Sequence, residues 1–187
     1  MSRVDEEKIL QGVRLILEGL GVDLSDENFR DTPRRFLEFL KELREPKITN
    51  DDYVRFTSAG NLVIARNIRV YSLCPHHLLP VVYDLDVAYI PSGKVVGLSK
   101  LARVAADTAS ELLLQEDFTE RVADRLMELT QSRDVMVVVR GRHLCMMMRG
   151  VRQENSEVVT SALRGMFRAG LNPRTEVLSL LRGERSG

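Results

Sequence analysis

Residues 61–90 read NLVIARNIRVYSLCPHHLLPVVYDLDVAYI and contain the pattern that decides the fold. From about Asn61, β-branched and aromatic residues are interleaved with polar ones, which predicts a strand with an irregularity near Asn67. From Val81 to Ile90, an apolar or aromatic residue stands at every second position starting with Val81, as on one face of a strand. This alternation predicts the antiparallel return strand. The stretch Cys74-Pro75-His76-His77 would then lie in the loop that joins the two strands.

Helical spacing of apolar residues is found on both sides of this hairpin. The predicted helices are residues 5–20, a segment that starts at Asp31 or Thr32 with Pro33 in its first position, two helices from Ser99 and from Thr119, and a final helix after Asn172-Pro173. Two more strands, Asp134–Arg140 and Leu144–Val151, are predicted to join at Gly141, and residues 153–168 fit helix and strand equally. We therefore predict a single α+β domain over residues 1–187, in which two helices cross one face of an antiparallel sheet.

The composition is that of a globular, soluble protein. The chain has 187 residues, of which 44% are hydrophobic and 29% are charged. Lys+Arg and Asp+Glu balance at 27 each, so no overall field attracts nucleic acid or an anionic membrane, and we expect neither as a partner. We see no secretory signal, and the longest apolar run, Val135–Val139, is too short to span a bilayer. We expect a cytoplasmic location.

All three histidines and both cysteines lie in two short stretches, 74–77 and 143–145. Cys74 and His77 have the spacing that lets one tight loop offer two ligands, and His143 and Cys145 would share one face of a strand. Cys74, His77 and Cys145 form a Cys2His set that favours zinc, with one tetrahedral position left open for water of pKa about 7. The alternative is a closed structural Cys2His2 site, with His76 or His143 as fourth ligand.

These stretches belong to an ordered series of five motifs. They are Cys74-x-His76-His77, Val87-Ala88-Tyr89-Ile90-Pro91, Gly97-Leu98-Ser99-Lys100-x-x-Arg103, Gln115-Glu116-x-x-Thr119 and His143-x-Cys145-Met146-x-Met148-Arg149-Gly150-Val151. In this order they resemble the GTP cyclohydrolase I family over roughly Asn61 to Phe167, with weaker agreement at Asp31-Thr32-Pro33-x-Arg35. Five ordered matches are far more specific than any one alone.

The resemblance implies the tunnelling fold (T-fold), in which antiparallel strands of neighbouring subunits close into a barrel. It implies a homodecamer of two stacked pentamers with active sites between subunits, a catalytic core at residues 61–168 and an N-terminal helical region at 1–50. It also implies a zinc-dependent hydrolysis of GTP to 7,8-dihydroneopterin triphosphate and formate, the first step of folate or pterin biosynthesis.

The family's residue roles are carried over where the motifs match. The zinc ligands would be Cys74, His77 and Cys145; the proton-handling residues His76 and His143; the guanine-binding pair Gln115 and Glu116; and the residues around ribose and triphosphate Ser99, Lys100, Arg103, Arg149 and Arg35. Ser99 is also expected to assist catalysis at the sugar. A carboxylate such as Glu116 can accept both N1–H and N2–H of guanine, which is worth roughly 1–3 kcal/mol against other bases.

The sequence departs from the family at four places. Pro75 stands where the family usually has Glu, and Glu38 stands where a phosphate-binding Lys is common. Leu112-Leu113-Leu114 replace an Arg and further polar residues, and Val81-Val82-Tyr83-Asp84 replace the usual segment with its glycine. Two other hypotheses therefore remain. The chain could be a paralogue that stops at the ring-opened formamide or takes a related purine nucleotide, or a non-catalytic module that binds zinc and perhaps a purine.

Overall fold

The structure is a computed structural model that describes residues 4–45 and 55–182. The chain divides into two compact units, Met1–Glu45 and Pro46–Gly187. The single domain over residues 1–187, with its helical region at 1–50 and its core at 61–168, stays a prediction.

The N-terminal unit is a pair of helices, α1 (Glu6–Gly19) and α2 (Thr32–Arg44). The Asp5 carboxylate accepts a hydrogen bond from the Lys8 backbone N–H at 3.2 Å and so caps α1. Pro33 lies in the first turn of α2, where its missing N–H costs nothing. An ion pair of 3.1 Å between Lys41 Nζ and Glu6 Oε1 joins the two helices. Both predicted helices are confirmed.

The second unit contains two antiparallel sheets and five helices within residues 55–182. The elements are β1 (Arg55–Thr57), β2 (Val63–Leu73), β3 (Pro80–Tyr89), β4 (Lys94–Val96), α3 (Leu98–Ala109), α4 (Gln115–Thr130), β5 (Val135–His143), α5 (Leu144–Met147), β6 (Val158–Leu163), α6 (Met166–Ala169) and α7 (Leu171–Arg182). A four-stranded sheet has the order β2-β3-β5-β6, and a small sheet pairs β1 with β4. Helix α3 packs on β2, and α4 packs on β5 and β6, which confirms the α+β class.

The β2–β3 hairpin confirms both the strand prediction and the irregularity near Asn67. The register shifts between Ala65 and Ile68, and Asn67 adopts a positive φ of 56° inside this bulge. The Asn67 N–H, which the bulge removes from the ladder, donates to Asp86 Oδ1 at 3.0 Å. The bulge is therefore held from the neighbouring strand, β3.

The core lies between the sheet and helices α3 and α4. One face of β3 contributes five side chains that are at most 2% exposed: Val81, Tyr83, Leu85, Val87 and Tyr89. They pack in one cluster with Leu101 of α3 and Phe118 of α4, and the Tyr83 and Phe118 rings stack with centroids 4.6 Å apart. Burial of each large apolar side chain contributes about 1.5–3 kcal/mol, so this layer fixes how β3 and α4 face each other.

Two predicted boundaries were wrong. Helix α4 begins at Gln115 and not at Thr119, with Glu116 and Asp117 in the first turn, where carboxylates favour the positive end of the helix dipole. Strand β5 continues through Gly141 to His143, and the predicted strand Leu144–Val151 begins instead with helix α5. The last pair of the β3–β5 ladder is Val81 with His143, next to Pro80, which has no N–H to extend it.

The C-terminal part resolves the segment that fitted helix and strand equally. It contains both, because β6 is followed by the short helix α6. The predicted final helix is present as α7, which begins at Leu171 and so includes Asn172-Pro173 instead of following them. In the stretches 4–45 and 55–182, no helix has the length and apolar character needed to cross a membrane.

Candidate active site

The loop between β2 and β3 is closed by its own backbone. The Cys74 N–H donates to the Leu79 carbonyl at 2.8 Å, and the Leu78 N–H donates to the Cys74 carbonyl at 2.8 Å. Leu78 has a positive φ of 54°, a conformation that costs free energy in a non-glycine residue. Within this tight loop Cys74 is buried, whereas His76 and His77 are exposed. The loop therefore holds one thiol in the core and presents two imidazoles outward.

Three potential metal ligands meet at this loop. One ligand atom each from Cys74, His77 and Cys145 lie within 4.8 Å of one another, and the distance from Cys74 Sγ to His77 Nδ1 is 3.7 Å. The predicted convergence is confirmed, but the reason given for Cys145 was wrong, because this residue lies on helix α5 and not on a strand. Two thiols and one imidazole are a soft donor set that fits zinc better than magnesium or calcium.

The surroundings of the Cys145 thiol disfavour its ionised form, and a bound cation would oppose this effect. Burial raises the pKa of Cys145, the nearby Cys74 raises it further, and the Arg149 guanidinium opposes both. A metal ion at this place would favour the thiolate, since a coordinated thiol loses its proton.

The three potential ligands Cys74, His77 and Cys145 are called the metal group below. A cavity of about 250 Å³ opens beside it. Its polar wall joins both cysteines to four predicted site residues, His76, Gln115, Glu116 and His143. The rest of the wall is largely apolar. The complete lining is Cys74, Pro75, His76, Leu113, Leu114, Gln115, Glu116, His143, Cys145, Met146 and Val158. The arrangement places two imidazoles and a carboxylate within one small, partly apolar space that also adjoins the metal ligands.

His143 ends strand β5 and is half-buried in this wall. Its Nε2 lies 2.7 Å from Gln115 Oε1, and its ring stands edge-on to Tyr83 with centroids 6.0 Å apart. Burial lowers the pKa of His143, and the charge of Glu116 opposes that shift to a smaller extent. The imidazole is therefore poised to give up a proton more readily than one in water.

The residues predicted to bind ribose and triphosphate lie in several places and not only beside the cavity. Arg149 Nη1 lies 2.6 Å from His77 Nε2, so this cation contacts the metal group directly. Ser99, Lys100 and Arg103 lie in the first turns of α3 and are not part of the cavity wall. Arg35 lies exposed on α2, in the other compact unit.

Several residues of this site were not predicted from the sequence. Tyr83, Leu113 and Leu114 were treated as departures from the family, although Tyr83 contacts the His143 ring and the two leucines form part of the cavity wall. Met146 was given no role within its motif and Val158 lay in the undecided segment, but both also line the cavity. Gly141 was treated as a strand junction, but a Cβ there would lie 2.1 Å from Gln115 Oε1. Only a glycine at this position leaves room for the Gln115 side chain, and an isolated glycine within an apolar strand is the signal that points to such a close approach.

Comparison with known proteins identifies the family of the chain. The family model of GTP cyclohydrolase I matches residues 9–182. The GTP cyclohydrolase 1 of Hyperthermus butylicus is 42% identical over 97% of this chain and 94% of its own, and that of Coxiella burnetii (strain Dugway 5J108-111) is 41% identical over 93% and 97%. Among solved structures, the archaeosine synthase QueF-Like in the apo form covers 58% of this chain and 97% of its own at 20% identity, with a TM-score of 0.48. The motifs, the grouped ligands and the match along nearly the whole length agree: the chain belongs to the GTP cyclohydrolase I family of hydrolases.

Proposed function

We propose that this chain is a zinc-dependent GTP cyclohydrolase that converts GTP to 7,8-dihydroneopterin triphosphate and formate. One observation carries the proposal: Cys74 and Cys145 of the metal group line the same cavity as His76, His143 and Glu116. Ring opening at guanine C8 needs a nucleophile, a proton donor and a guanine anchor in one place. This cavity brings together residues for all three.

The zinc ligands are proposed to be Cys74, His77 and Cys145. When bound, zinc would act as a Lewis acid and make water nucleophilic at neutral pH. Three protein ligands leave one tetrahedral position open, which is the arrangement of catalytic zinc sites.

Glu116 is proposed to anchor the guanine. It lies exposed at the cavity wall, in the first turn of α4. Its carboxylate can accept N1–H and N2–H together, which adenine cannot offer. Leu113, Leu114 and Val158 give the cavity apolar walls, against which a flat purine can pack. Two of the three leucines that depart from the family's usual residues, Leu113 and Leu114, thus have a place in the proposed site.

His143 and His76 are proposed to move protons. His143 would protonate the imidazole nitrogen of the purine as C8 is attacked, and His76 would shuttle protons as formate leaves. Two molecules of water are consumed, in ring opening and in release of formate, and one is lost when the rearranged ribose carbons close the new ring. Ser99 is proposed to assist at the sugar.

The triphosphate needs local cations, because the chain has equal numbers of basic and acidic residues. Arg149, Lys100, Arg103 and Arg35 are proposed to supply them. Lys100 and Arg103 lie outside the cavity wall of their own subunit, which fits a site shared between neighbouring subunits. We accordingly propose the T-fold barrel and the homodecamer that the family resemblance implies.

The test is to incubate the zinc-loaded protein with GTP and to identify the products by mass, with assays for formate and for a fluorescent pterin after oxidation. Formate with pterin is the expected result. An accumulating formamide would instead indicate a paralogue with a shortened reaction, and unchanged GTP would indicate a non-catalytic binding module. His143→Ala should lose turnover while zinc stays bound, and full activity in that variant would refute its proton role.

The guanine anchor has its own test with a matched control. Glu116→Gln should lower kcat/KM for GTP by roughly 10- to 100-fold and should lower it less for inosine triphosphate, which keeps N1–H but lacks the 2-amino group. Asp117→Asn removes a charge from the same helical turn but not from the cavity wall, and it should leave the preference for GTP intact. Equal losses for both nucleotides in Glu116→Gln would contradict the anchor role.

A further inference from the structure

The side chain of Gln115 is engaged within the protein. Gln115 is only 3% exposed, and it starts helix α4 beside strands β5 and β6. Its amide nitrogen lies 2.8 Å from the Val158 carbonyl and 3.2 Å from Thr160 Oγ1, and its amide oxygen lies 2.7 Å from His143 Nε2. The amide therefore bridges strand β6 and the proposed proton donor.

The orientation of this amide follows from its neighbours. The Val158 carbonyl can only accept a hydrogen bond, so the atom that faces it must be the NH2 group. The Thr119 hydroxyl donates its one hydrogen to the backbone carbonyl of Gln115 at 2.7 Å. The Thr160 hydroxyl lies 2.7 Å from Thr119 Oγ1 and must therefore be the donor in that pair. Thr160 Oγ1 then accepts from the amide as well. Both contacts turn the amide oxygen of Gln115 toward His143.

The orientation of the amide sets the hydrogen on His143. An amide oxygen is only an acceptor, so the ring nitrogen 2.7 Å away, Nε2, must carry a hydrogen. In the neutral ring the lone pair then lies on Nδ1. Nδ1 is therefore the atom left to exchange protons with a bound molecule.

Gly141 allows this contact. A Cβ at position 141 would lie 2.1 Å from Gln115 Oε1 and 3.1 Å from His143 Nε2, a space that no other residue type would leave open. Gly141 is the only glycine within residues 135–143 of β5, and it lies next to the hydrogen bond between Gln115 and His143.

We propose that Gln115 is a positioning residue that keeps a hydrogen on Nε2 of His143, so that Nδ1 is the atom that takes up a proton from water and then delivers it to substrate, which returns the ring to the neutral Nε2–H tautomer. The proposal rests on the proton role of His143 in the proposed function. It gives the Gln115 side chain a role different from the guanine contact that the family resemblance implied. The threonine pair of α4 and β6 holds the amide, and the amide holds the imidazole.

The first test reads the tautomer directly and needs no substrate. Zinc-loaded protein labelled with nitrogen-15 histidine is studied by NMR at a pH well above about 6.5, the ordinary pKa of imidazole. The His143 signals are assigned by their loss in His143→Ala. The wild-type protein should show a protonated Nε2 and an unprotonated Nδ1. Gln115→Met, which removes the acceptor at similar size, should shift both signals toward a mixture of tautomers.

The second test separates positioning from substrate contact. Gln115→Met should lower kcat for GTP roughly tenfold with little change in KM, the loss expected for one hydrogen bond. A raised KM with unchanged kcat would indicate a guanine contact and overturn the proposal. If the protein turns over no GTP at all, the proposed function fails, and the NMR measurement still decides the tautomer.

Two further variants keep the test decisive. Gly141→Ala displaces the amide while Gln115 remains, so it should reproduce the change in the His143 signals even if Gln115→Met does not fold. Thr130→Val removes a buried hydroxyl at the far end of α4, where Thr130 donates to the Leu126 carbonyl, and it should leave those signals unchanged. Unaltered His143 signals in both Gln115→Met and Gly141→Ala would overturn the proposal.

Discussion

Arg149 Nη1 lies 2.6 Å from His77 Nε2, so a cation proposed to bind phosphate contacts a proposed metal ligand. A guanidinium has donors but no acceptor, so Nε2 of His77 must accept this hydrogen bond. The hydrogen of the neutral ring then lies on Nδ1, which is the atom that faces Cys74 Sγ at 3.7 Å. A metal bound at Nδ1 would need that hydrogen removed and the contact with Arg149 exchanged.

We therefore expect Arg149→Met to leave zinc affinity unchanged or higher, and to raise KM for GTP by about tenfold or more through loss of a charged hydrogen bond. Competition with a chelator measures the first quantity, and steady-state kinetics measure the second. Arg152→Met, which removes the same charge three residues along, is the control and should change neither. Weaker zinc binding in Arg149→Met would show that Arg149 supports the metal group instead of competing for His77.

Removal of the metal should abolish turnover without unfolding the protein. The core between β3, β5, α3 and α4 is almost fully buried and is built from apolar side chains, so it does not depend on a metal. A chelator should leave far-ultraviolet circular dichroism unchanged at 25 °C, and added zinc should restore activity. Loss of helical signal on chelation would favour the closed structural site that the sequence also allowed.

Much of the fold was predictable from the sequence because its causes are local. The alternation of apolar and other residues along 81–90 determines which face of β3 packs against the helices. The break in the strand pattern near Asn67 predicted the position of the bulge. The end of β5 was not predictable in this way. It depends on Pro80, the first residue of the partner strand, and no pattern within residues 134–151 reports where a partner strand starts.

The candidate site shows the same division. Cys74, His77 and Cys145 were found because their residue types are rare and clustered, and the cavity residues Glu116 and His143 because they lie in motifs. The hydrogen bond between Gln115 and His143 joins residues 28 positions apart, and its support from Thr160 comes from a third element. Such a network is decided by tertiary packing, which spacing alone does not encode.

Gly141→Ala should destabilise the protein. The added Cβ would lie 2.1 Å from Gln115 Oε1 within a packed sheet, and overpacking of this kind costs about 1–3 kcal/mol. Gly12→Ala is the matched control, because position 12 lies within α1 and the new Cβ would meet no atom within 4 Å apart from its chain neighbours and the backbone of its own helix. It should raise stability by about 0.5–1 kcal/mol through helix propensity. Urea unfolding measures both, and equal effects would contradict the close approach at position 141.

Asp84 and Asp86 lie on the face of β3 opposite the core, and Asp86 should contribute more to the free energy of unfolding. Its carboxylate accepts from Arg140 Nη1 at 2.6 Å and from the N–H of Asn67 in the bulge at 3.0 Å. Asp86→Ala would leave a half-buried guanidinium and a backbone donor without their acceptor, at a cost of about 3 kcal/mol. Urea unfolding at neutral pH measures this loss, and a loss no larger than that of Asp84→Ala would contradict the bulge role.

Asp84 should instead contribute a pH-dependent term. Its carboxylate pairs with the exposed Arg69 at 2.7 Å, and that hydrogen bond holds the pKa of Asp84 below its ordinary value of 3.8. A carboxyl whose pKa is lower in the folded state stabilises the protein above pH 3.8, and this stabilisation is lost as the pH falls through the folded value. Wild-type protein should therefore unfold at higher urea than Asp84→Asn at neutral pH, and the two midpoints should converge as the pH is lowered below 3.8. A constant difference at all pH values would show that the effect of Asp84 comes from packing and not from its charge.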